Sequence, residues 1–234
     1  MERQPPEVTH EWRFRIGDAF PADSPLARFI VAVARGMDDT VLANSRFVEA
    51  EKDYERLYFF ILANSHLYEA AETFHKAHRE WEEVREFVGS LDEERQQEFA
   101  RITALAEQDA EWPGNRLKDL RNSFFHYLRL DRAAANAEQL PLQRGLTEAA
   151  DMESQLIIEG GGPLNGIRAL FADEVFVKSL TADYEEGELE RLVVSFAEYQ
   201  PTLNRFAQAA VGRYLRDLPE GVVQFEGAVE DEEL

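Results

Sequence analysis

Tyr54-Glu-Arg-Leu57-Tyr-Phe-Phe-Ile61-Leu-Ala-Asn64-Ser-His-Leu-Tyr68-Glu-Ala-Ala71-Glu-Thr-Phe-His75-Lys-Ala-His78 is the stretch that decides the fold. The numbered positions recur every three or four residues, so they form one seam along a helix. That helix is predicted over residues 52–79 and is the longest uninterrupted one in the chain. Residues 57–62 are apolar on every side, so this section is expected to be the most buried, contacted by helices from several directions.

The pattern continues outward on both sides. Upstream, Ser24-Pro25 fits an N-cap followed by proline at the first helical position. Leu26, Phe29, Ile30, Val33 and Ala34 follow at helical spacing. Gly36 is a point where this helix could be interrupted, with Asp38-Asp39-Thr40 capping a continuation through Val41, Leu42 and Phe47. Residues 1–23 contain Pro5, Pro6 and Pro21 and are expected as an extended arm, with a short strand at Trp12-Arg-Phe-Arg-Ile16.

Downstream, Gly89-Ser90 marks a stop after Trp81, Val84 and Phe87. Residues 91–108 predict an amphipathic helix with Phe99, Ile102 and Leu105 inward. Trp112-Pro113-Gly114-Asn115 is the clearest break, with Asn115 suited to cap the next helix. That helix is predicted from Arg116 to residue 138, and a short one near 142–150 follows Pro141. Residues 167–180 read either as a helix or as one arm of a hairpin whose other arm is 154–158. The run Gly160-Gly161-Gly162-Pro163 between them lacks the Gly-Lys-Ser/Thr of a phosphate loop. Leu189, Leu192, Val193, Phe196, Leu203, Phe206, Ala210 and Tyr214 predict a helix over 187–218, kinked or split at Pro201. The expected fold is all-α: a helical bundle of six to eight helices, with a small β-hairpin near 154–180 as the open alternative. One helical domain spans 24–218, between the arm and an acidic, disordered tail over 219–234.

Composition narrows the function. At 234 residues and 44% hydrophobic, the chain is long and apolar enough to bury a core. It has no cysteine, which excludes disulfides, Cys-ligated metal and thiol nucleophiles. The N-terminus lacks the apolar stretch of a signal peptide and no run is long enough to span a bilayer, so a cytoplasmic protein without membrane contact is expected. The net charge of −21 repels nucleic acid at long range, so any RNA contact must be local. Across residues 116–132 the balance reverses. Arg116, Lys118, Arg121, Arg129 and Arg132 face only Asp119 and Asp131. Such a run is either a solvated helix face or an RNA-binding one.

This basic helix carries the chemistry. At about 100° per residue, Leu117, Leu120, Phe124 and Leu128 fall in one narrow sector and form its core stripe. Asn122 and His126, four residues apart, share a face nearly opposite. Arg121 lies between, able to swing either way. An imidazole that moves a proton, an amide that fixes its tautomer and a guanidinium that meets phosphate charge are a minimal kit for cleaving RNA through its 2′-hydroxyl. The kit needs no metal or other cofactor.

At Arg121-Asn122-Ser-Phe-Phe-His126 the sequence resembles the HEPN superfamily. Its members are helical-bundle proteins, many of them RNases of toxin–antitoxin, abortive-infection and CRISPR systems. Their motif is Arg, four to six residues, then His, often with a polar residue after the Arg. The resemblance covers the motif and the helical pattern of residues 45–140. It implies Arg121 and His126 as catalytic and Asn122 as supporting. It also implies a homodimer through the motif helix, and an RNA substrate with an antitoxin or regulatory partner. Two other readings stay open. A non-catalytic helical protein could keep the bundle and meet a protein partner. A metal site could form at Glu72, His75 and His78, where Glu-x-x-His spacing projects ligands from one helix.

Overall fold

The computed structural model describes residues 11–107, 109–126, 146–152, 156–159, 166–169, 178 and 187–226. Its elements are β1 (Glu11–Phe14), α1 (Ile16–Ala19), α2 (Pro25–Glu49), α3 (Asp53–Glu80), α4 (Glu82–Gly89), α5 (Glu93–Thr103), α6 (Gly114–His126), β2 (Leu156–Glu159), β3 (Gly166–Ala169), α7 (Glu188–Arg216) and β4 (Val223–Glu226). A 3-10 turn at Ala104–Ala106 extends α5. The all-α bundle is therefore the fold. The hairpin alternative is also the observed one: β2 pairs antiparallel with β3, Leu156 opposite Ala169.

Helix α3 is the axis. α2 lies antiparallel along it, and α6 packs on another side. Phe29, Ile30 and Val33 of α2 meet Phe74 of α3, Phe99 of α5 and Phe206 of α7 in one apolar core. The rings interlock edge-on or tilted, Phe29 5.7 Å from Phe74 and Phe99 5.2 Å from Phe206. The N-cap at Ser24 forms as expected, its hydroxyl accepting from the Ala27 N–H at 3.1 Å.

Several local expectations yield to tertiary packing. Gly36 does not break α2, which runs continuously. A Cβ there would come within 2.9 Å of the Ala70 Cβ, so the glycine lets α2 and α3 approach. Pro201 does not split α7, which at 29 residues slightly exceeds the 28 of α3. Leu203 and Phe206 are buried just beyond the proline and hold the two halves against one core. The most buried part of α3 runs over 60–71 rather than 57–62, because Tyr58 projects half-exposed from its first turns. Val193 is exposed rather than inward. α6 begins at Gly114, one residue before the expected cap. The Leu117 N–H reaches the Pro113 carbonyl at 3.0 Å, so Asn115 lies inside the first turn.

The short strand expected in the arm forms as β1 and is followed by the helical turn α1. The tail differs from expectation: its first residues form β4, which pairs antiparallel with β1, Trp12 opposite Phe225. The Tyr214 hydroxyl donates to the Ala19 carbonyl at 2.7 Å, and Phe20 stacks on its ring. Residues 219–226 are thus not a free tail; 227–234 lie outside the described residues. The same holds for the predicted continuation of α6 beyond residue 126.

Candidate functional site

α6 is set in place at its start. A Cβ on Gly114 would lie 2.5 Å from the Leu105 carbonyl oxygen, so this position brings the helix hard against the 3-10 turn. Arg116 donates to Glu188 at 2.8 Å and lies 3.7 Å from Asp119, tying α6 to the first turn of α7. Leu117 and Leu120 are buried against the core, as the wheel predicts. Leu128, and the side chains of Phe124 and His126, lie outside the described residues.

Arg121 swings toward α3. Its Nε donates to Glu69 and its Nη1 to the Asn122 side-chain Oδ1 at 3.0 Å. Its Nη2 lies 3.6 Å from Glu72. Burial alone would lower the Arg121 pKa. The hydrogen bond to Glu69 and the charges of Glu69 and Glu72 outweigh it and hold the pKa above its ordinary value. Tyr68 is buried beside this group. Burial first, then the Glu72 charge, raises its phenol pKa, against the opposing charge of Arg121.

The structure therefore brings Arg121 and Asn122 together and adds two partners that the motif does not contain, Glu69 and Glu72. Their signal lies in α3: Glu69 and Glu72 are three residues apart and share a face. The Asn122 side-chain oxygen accepts from Arg121, which leaves its amide NH₂ group as donor. Of the other basic candidates, Lys118 is exposed, Arg116 is paired with carboxylates, and Arg129 and Arg132 lie outside the described residues.

The alternative metal set is dispersed. Glu72 turns to α6, whereas the His78 ring packs 5.1 Å from Phe99 of α5. Among the described residues no group of His, Asp and Glu side chains has metal-holding geometry. Also among the described residues, no helix is long and apolar enough to cross a membrane. No family model, no curated protein and no solved structure matches the chain.

Proposed function

We propose that the chain is a HEPN-like, metal-independent endoribonuclease of a defence or toxin system, acting on RNA as a cytoplasmic homodimer through α6. The observation that supports this reading is the fixed guanidinium of Arg121. It is off the core stripe, bonded to Asn122 and oriented from α3. Two of its five N–H groups serve those hydrogen bonds. In this mechanism His126 takes the proton from a ribose 2′-hydroxyl, and the 2′-oxygen attacks phosphorus. The bond to the 5′-oxygen breaks and that oxygen takes a proton from water, leaving a 2′,3′-cyclic phosphate and a 5′-hydroxyl end. Arg121 stabilises the charge that builds on the phosphoryl oxygens.

One observation favours a second reading, a non-catalytic interaction protein. Two carboxylates face the one guanidinium, so the group carries a net negative charge and ties α6 to α3. The two readings separate in the Arg121→Ala protein. RNA should be cleaved by the wild type in EDTA, and cleavage should be lost in the variant while it stays folded by circular dichroism. A wild type that leaves RNA intact, together with an unfolded or destabilised variant, assigns Arg121 to structure alone.

A further inference from the structure

A groove of about 330 Å³ opens between α2, α3 and the start of α4, apart from the Arg121 group. This lies at the small end of the range for small-molecule sites, about 300–1,000 Å³. Its apolar wall is Phe29, Ala77 and the half-buried indole of Trp81. Its polar groups are Arg28, Thr73, Lys76 and Glu80.

The charge at this groove runs against the chain. Glu80 is taken up by Arg79 at 3.3 Å. Arg28 lies over the Trp81 ring, 5.1 Å from its centroid. Among the described residues neither Arg28 nor Lys76 has a carboxylate within ion-pair range. Glu82 and Glu83 follow Trp81 but do not line the groove. Two unneutralised cations beside one hydroxyl therefore stand over an aromatic and aliphatic wall, in a protein of net charge −21.

We propose that this groove binds a phosphate monoester that also carries a flat aromatic ring, as a nucleoside 5′-monophosphate does. Arg28 and Lys76 match the charge of about −1.5 to −2 on such a phosphate, and Thr73 offers one of its oxygens a hydrogen bond. The flat ring lies against Trp81 and the alkyl carbons beside it. A free nucleotide and the 5′-phosphorylated end of an RNA chain both carry this chemistry. The inference does not rest on RNA cleavage, and it stands or falls separately from it.

Calorimetric titration of the full chain with AMP, adenosine and inorganic phosphate tests the groove. AMP should bind, and each fragment should bind about tenfold more weakly or worse. Arg28→Gln and Lys76→Gln should each weaken AMP about tenfold with the fold retained by circular dichroism, and Lys76→Gln, whose exposed side chain has no ion pair among the described residues, with unchanged thermal melting. A shift of the Trp81 indole N–H signal on adding AMP, absent in Trp81→Phe, places the ligand even if a variant fails to fold. A 5′-phosphorylated oligoadenylate binding more tightly than AMP assigns the RNA end; equal binding assigns the free nucleotide. No AMP binding at millimolar concentration overturns the proposal. So does AMP affinity unchanged in both variants, or inorganic phosphate binding as well as AMP.

Discussion

Glu98 shows what single residues contribute here. Its side chain is 7% exposed, and two guanidinium groups reach it from different helices. Arg95 of α5 lies at 2.5 Å and Arg205 of α7 at 2.6 Å. Removing the carboxylate leaves two cations that solvent can still reach, so the loss is smaller than for a fully buried triad. Glu98→Ala should lower stability by about 2 kcal/mol, read as a lower urea midpoint with an unchanged slope. Arg121 and Arg116 follow the same logic at the α6 face, each held by a carboxylate far away in sequence. The Arg95–Glu98 pair is one helical turn apart and local, but the long-range pairings are not legible in the sequence. The pairs join residues 69 and 121, 98 and 205, and 116 and 188, and only the packed bundle brings them together.

At the scale of elements, much was legible. The seam of α3, the inward face of α5 and the stripe of α6 appear because amphipathic periodicity is local and one face must leave water. Neither Gly36 nor Pro201 ends its helix. Both are helix breakers by propensity, but α2 is packed against α3 at Gly36 and α7 is buried just beyond Pro201, and packing overrides propensity. The β1–β4 pairing escaped notice because its strands are four residues each and lie at opposite ends of the chain. Gly114 carries the clearest prediction at this scale. Gly114→Ala should destabilise the protein by about 1–3 kcal/mol, since the new methyl meets a backbone carbonyl that cannot rotate away. Thermal unfolding checks this, and an unchanged melting temperature would mean that the start of α6 is free to shift.

The whole molecule is a strongly acidic bundle, and two of its histidines couple its stability to pH. His66 and His78 are both held below the ordinary value of 6.5, in each case first by burial. At His66 the charge of Asp39 opposes the shift and that of Arg35 adds to it; at His78 those of Arg85 and His75 add. The unfolded chain therefore binds these protons more tightly than the folded one. Their contribution to stability is present above 6.5 and is lost as pH falls through the depressed folded values. Urea midpoints of the wild type should fall between about pH 7.5 and 5.5 by more than those of a His66→Gln, His78→Gln double variant. Function at this scale turns on whether the polar face of α6 is a reaction site or a contact surface. The rate of RNA cleavage in EDTA by wild type and His126→Ala decides most directly. The account predicts cleavage to 2′,3′-cyclic phosphate ends by the wild type, with a loss of about a hundredfold or more in the variant. Equal rates in the two proteins, or no cleavage by either, would contradict it.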